Sequence, residues 1–96
     1  MKIETTPFDP ADYLKSDESQ VELIADALES GDADYITNAI GIVARARGMT
    51  GVARGSGVTR AALYKALAPG GDPKLTTLIG VLKSLGLKLS AKAEHA

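Results

Sequence analysis

The stretch ARGSGVTRAALYKAL, Ala53 to Leu67, decides the fold. Ala53, Gly57 and Leu63 stand four and six positions apart. Two short crossing helices need a small residue where they touch, a glycine able to take positive φ in the turn, and an apolar residue facing back from the second helix. All three requirements are met in order. Val52, Val58, Ala66 and Leu67 supply the remaining buried positions, so the pattern reads as a helix-turn-helix over about residues 50–67. Thr50 is the expected N-cap of its first helix, roughly Gly51 to Ser56. Gly51 and Gly55 make that helix intrinsically poor, and tertiary packing must hold it.

Working outward, Val21, Ile24, Ala25 and Leu28 fall at i, i+3, i+4 and i+7, which predicts an amphipathic helix from Ser19 that Gly31 ends. Asp32 or Ala33 opens a second helix, whose stripe is Ile36, Ala39, Ile40, Val43 and Arg47 and which stops at Gly48. Gly41 inside it costs about 1 kcal/mol relative to alanine, and a closely crossing neighbour is the expected reason. Beyond Leu67, APGGDPK is a loop. Asp72 followed by Pro73 is the expected cap of a last helix striped by Leu75, Leu78, Ile79, Leu82 and Leu85 and closed by Gly86. LKLS, residues 87–90, alternates apolar and polar side chains as a short strand would, and could pair with its twin in a dimer. At the other end TTPFDPADYL, with two prolines and no periodicity, reads as an extended arm anchored by Phe8, Tyr13 and Leu14. The expectation is an all-α, five-helix domain: an extended N-terminal arm over 1–18, a helix-turn-helix domain over 19–90 and a flexible tail over 91–96.

Ninety-six residues with 45% hydrophobic content support one small core. There is no cysteine, hence no disulfide framework or thiolate metal site, and a reducing cytoplasm is the expected compartment. No apolar run approaches the roughly 18 residues of a membrane span, and MKIETTPFDP lacks the features of a signal peptide. The single histidine, His95, stands next to the last residue, and no paired-carboxylate or phosphate-cradling motif is present. Catalysis, metal and cofactor are therefore not expected. The net charge of −1 hides a division: residues 1–40 carry ten acids against Lys2 and Lys15, and residues 41–96 carry nine bases against Asp72 and Glu94. Such asymmetry points to two partners of opposite charge.

At roughly 100° per residue, Leu63, Ala66 and Leu67 define the buried side of the second helix of the pair, which turns Ala61 and Lys65 outward with Ala62 and Tyr64 beside them. Recognition helices of this motif present their N-terminal residues to base edges in the major groove, so Arg60 is the candidate for a bidentate guanine contact. Ala61 and Ala62 allow close approach to a thymine methyl. Lys65 and Tyr64 can reach phosphates or further bases, and Thr50 and Thr59 can bind phosphate at helix N-termini. The bland alternatives are solvated charge for Arg60 and Lys65, surface packing for Tyr64, and simple capping for the threonines.

PFDPADYL, ALESGDADYITNAIG, ARARGM, GVTRAALYKAL and GGDPKLTTLIGVLKSLGLKL, in that order, resemble the HigA-like addiction-module antidote proteins of the lambda-repressor-like helix-turn-helix superfamily. Arg-x-x-Leu-Tyr-Lys-x-Leu at Arg60 to Leu67 and ARARGM at Ala44 to Met49 are the most specific matches. The resemblance implies the antitoxin of a type II toxin–antitoxin module, which binds its operator, an inverted repeat, as a homodimer and neutralises a RelE/HigB-type toxin. Ala61 stands where the family commonly has Glu, and Asp72 where it has Asn, so the operator sequence does not carry over. A toxin that handles RNA should be basic, and the acidic first forty residues are its expected contact surface, with Phe8, Tyr13, Leu14, Glu22 and Asp26 as candidates. The competing functions are a helical protein-interaction module with little DNA affinity and a phage-type transcriptional regulator without a toxin.

Overall fold

The computed structural model describes residues 17–94, which form five helices and, among the described residues, no strand. They are α1 (Asp17–Ser30), α2 (Ala33–Arg47), α3 (Met49–Ser56), α4 (Arg60–Ala66) and α5 (Leu75–Ser84). Phe8, Tyr13, Leu14 and residues 1–16 of the expected arm lie outside the described residues, and the arm's last two expected residues, 17 and 18, belong to α1. Helix α1 begins at Asp17, two residues before the expected Ser19. Residues 87–90, expected as a strand, take no regular structure.

One core joins all five helices: Ile24 from α1, Ile40, Val43 and Ala44 from α2, Met49, Val52 and Ala53 from α3, Leu63 and Leu67 from α4 and its cap, and Val81, Leu82 and Leu85 from α5 and its cap. Helix α1 packs on α2, and α3 packs on α2, α4 and α5. The expected stripe of α1 is turned. Ile24, Ala27 and Gln20 are buried, whereas Val21, Ala25 and Leu28 are exposed. The reason is polar: Arg47 at the end of α2 donates from Nε to Gln20 Oε1 at 2.6 Å and from Nη2 to the Leu85 carbonyl at 3.4 Å. A charge-assisted bond of this kind outweighs a neutral one and draws the Gln20 side of α1 inward. The stripe of α5 also splits, with Leu82 and Leu85 inside and Leu75 and Ile79 exposed.

Of the two expected starts of α2, Ala33 is its first residue and Asp32 its cap, Oδ1 accepting from the Asp34 and Tyr35 N–H groups at 3.0 and 3.3 Å. Two other caps differ from expectation. Helix α3 starts at Met49 with Gly48 at its N-cap, so Thr50 lies inside the first turn. Helix α5 is preceded by Lys74 rather than Asp72, with no side-chain cap. In each case the N-cap position falls two residues away from the polar side chain that would cap it, before Thr50 in one and after Asp72 in the other.

The poor propensity of α3 is offset by close packing. A Cβ on Gly55 would lie 2.9 Å from the Ser84 Cβ of α5, and one on Gly80 of α5 would lie 3.1 Å from the Ser56 carbonyl oxygen of α3. Each helix contributes a glycine opposite a serine of the other. The crossing neighbour anticipated at Gly41 is the end of α4: a Cβ there would sit 3.0 Å from the Leu67 carbonyl oxygen.

Candidate nucleic-acid interface

Helices α3 and α4 are joined through Gly57, which is left-handed (φ 76°, ψ 19°). The Val58 N–H reaches back to the Ala53 carbonyl at 3.2 Å, closing the end of α3 in the manner that a glycine C-terminus permits. Ala53 and Leu63 are both buried, so the small residue, the turn glycine and the back-facing leucine occupy the positions expected of them. Thr59 then caps α4, its Oγ1 accepting the Ala62 N–H at 3.0 Å. A cap of this type contributes about 1 kcal/mol. Its hydroxyl proton remains available to an acceptor outside the helix.

With Leu63 and Leu67 inward, Arg60, Ala61, Ala62, Tyr64 and Lys65 are all exposed. Thr50 is exposed on the first turn of α3. The Arg60 guanidinium carbon lies 5.4 Å from the centroid of the Tyr64 ring, and Arg60 Nη2 is 3.5 Å from the Tyr64 hydroxyl. The second distance is at the outer limit of a hydrogen bond, so the cation–π contact is the main interaction. Tyr64 thus gives Arg60 a platform one turn along the helix.

An open groove runs beside this face, lined by Ala62 and Lys65 of α4, the loop from Ala68 to Pro73, and Lys74 and Thr77 at the start of α5. Sequence reasoning missed Lys74. A lysine at a helix N-terminus opposes the helix dipole, and that local disadvantage was the available signal that its charge serves something other than the helix.

On the opposite sequence half, Glu22 and Asp26 are exposed on α1. They differ in what surrounds them. Asp26 accepts the Tyr35 hydroxyl at 2.5 Å, which ties α1 to α2. This hydrogen bond, with burial and the carboxylate charge behind it, holds the Tyr35 phenol above its usual range. No helix among the described residues is long and apolar enough to cross a membrane.

A family model described as a probable addiction module antidote protein matches residues 4–93. An uncharacterized protein of Haemophilus influenzae (strain Rd) is 36% identical over 85 residues, which cover 88% of this chain and 88% of that one. No solved structure matches the chain.

Proposed function

Starting from the fact that the chain belongs to the family of probable addiction module antidote proteins, we propose that it neutralises a RelE/HigB-type toxin by direct binding and represses its own operon. A homodimer of lambda-repressor-like helix-turn-helix domains would do so, with α3 and α4 as the motif. The supporting observation is the exposed face of α4, where Arg60, Ala61, Ala62, Tyr64 and Lys65 stand clear of the core behind a capped first turn. In this reading α4 enters the major groove. Arg60, steadied by Tyr64, reads a guanine; Ala61 and Ala62 admit the groove wall; Lys65, Thr59, Thr50 and the additional Lys74 meet phosphates.

A salt titration of binding to the chain's own upstream DNA, with and without Arg60→Ala, tests the proposal. Affinity should fall with salt along a slope set by the number of phosphates neutralised. Arg60→Ala should cost roughly 1–3 kcal/mol on the operator and much less on unrelated DNA, with the folded state verified by circular dichroism. An equal loss on both DNAs would make Arg60 a phosphate clamp. Absence of salt-dependent binding would favour the interaction-module reading instead.

A further inference from the structure

Helix α1 presents three adjacent stripes. Gln20, Leu23, Ile24 and Ala27 face the core, while Val21, Ala25 and Leu28 follow round the helix and are exposed, Val21 at 41% and Leu28 at 37%. Next to them come Glu18, Glu22, Asp26 and Glu29, also exposed. The middle stripe forms one wall of an apolar groove whose other wall is Leu82, Leu87 and Lys88. Val21, Ala25 and Leu28 make one contiguous exposed apolar strip in a concave setting with charge beside it, the kind of patch that marks an interaction surface.

The charges select the occupant. A second copy packed α1 on α1 about a two-fold axis would bring the acidic stripe against itself, and like charges facing one another at an interface are costly. The four exposed acids of α1 outnumber Lys88 and Lys92 on the other side of the groove, so a basic surface fits the balance, and an enzyme that acts on nucleic acid must carry one to hold its polyanionic substrate. The residues beyond α5 lie alongside without sealing the groove: Ser90, Ala91 and Lys92 run past Ala25 and Leu28, and Lys92 is held by Glu29 at 3.7 Å, both side chains being largely in water. An exposed pair of this kind contributes little and yields to a competitor.

We infer that the groove between α1 and Leu87 is the docking site for a basic toxin, with Val21 and Leu28 as the apolar anchors and Glu18, Glu22 and Glu29 as the charged rim. Asp26 contributes less, because Tyr35 already holds its carboxylate. The inference rests on the antidote reading and locates its binding surface on the described helix rather than on the segment before it.

The test uses the full chain carrying Val21→Asp and Leu28→Asp, titrated against the toxin encoded beside it, with binding to upstream DNA and thermal melting as controls. Toxin affinity should fall by roughly 30-fold or more, the scale of lost central anchors, while DNA affinity and melting stay near wild type. Glu22→Lys should slow association with the toxin. Should the double aspartate variant melt early, Val21→Ala with Leu28→Ala takes its place and should weaken toxin binding in the same direction. Undiminished toxin binding by the folded variant would overturn the docking site and leave the antidote reading standing. A wild-type chain that binds no toxin would overturn both. A change in self-association with toxin binding intact would assign the groove to a second copy and overturn the inference.

Discussion

Tyr35 and Arg60 are both long side chains on helix surfaces, and each is held by one partner of a different kind. Tyr35 donates to a carboxylate, and ionising it would place two negative oxygens 2.5 Å apart. The folded protein therefore resists its deprotonation, while the unfolded chain does not. Because the folded value is raised, the associated stability is fully present below the ordinary tyrosine range and is lost as the pH rises through the folded value. A phenolate absorbance titration should show Tyr35 ionising later than an unperturbed tyrosine, and Tyr35→Phe should remove that late phase; a late phase surviving in the variant would assign it elsewhere. Arg60 rests on an aromatic face instead, at 5.4 Å, where nothing prevents it from turning to a stronger bidentate acceptor. Such a weak platform limits the side chain's freedom before binding without competing with a base edge. If Arg60 reads a base as proposed, Tyr64 is its positioning residue.

Helix α3 holds together because of what crosses it, and the crossing can be tested against propensity. Gly55→Ala should stabilise an isolated helix by about 1 kcal/mol. Here the added Cβ would sit 2.9 Å from the Ser84 Cβ, between two helices whose backbones cannot both give way. The variant should instead lose stability by about 1–3 kcal/mol, the usual range for overpacking. Removing the opposing group by Ser84→Gly should restore part of the loss, so the double-mutant cycle should show a favourable coupling in chemical denaturation. Additive losses would show that the clash is relieved elsewhere. The sequence made this crossing legible only in part. Ala53, Gly57 and Leu63 could be read because a tight turn imposes fixed spacings on its own chain, and Gly41 announced a neighbour without naming Leu67. The rotation of α1 could not be read, since its apolar stripe was the cleaner one and the deciding contact, Arg47 to Gln20, spans 27 residues. The same limit hid the caps: Thr50 and Asp72 have the right chemistry, but Gly48 and Lys74 hold the positions. At the candidate site the exposed side of α4 followed from periodicity alone, whereas Lys74 joined Lys65 only through the loop that folds α5 back beside α4.

For the molecule as a whole, the charge division has a mechanical consequence. The ten acids of residues 1–40 and the nine bases of residues 41–96 nearly cancel, leaving −1, so the chain carries little net charge to steer it toward either partner. Steering must come from the local fields of the two parts. The exposed acids of α1 stand next to the Val21, Ala25 and Leu28 stripe that lines the groove with Leu82 and Leu87, whereas Lys65 and Lys74 line the groove beside α4, and the two grooves share no lining residue. A basic toxin on α1 and DNA on α4 would then not compete for contact residues, and toxin bound to α1 would cancel the negative field that otherwise repels phosphate. Toxin should consequently leave operator affinity unchanged or raise it. In a gel-shift titration at fixed antidote concentration, added toxin should retard the protein–DNA band further, and the enhancement should shrink as salt screens fields beyond about 10 Å. A toxin that dissolved the band at low salt would mean that the two partners overlap, and the separation of surfaces by charge would have to be abandoned.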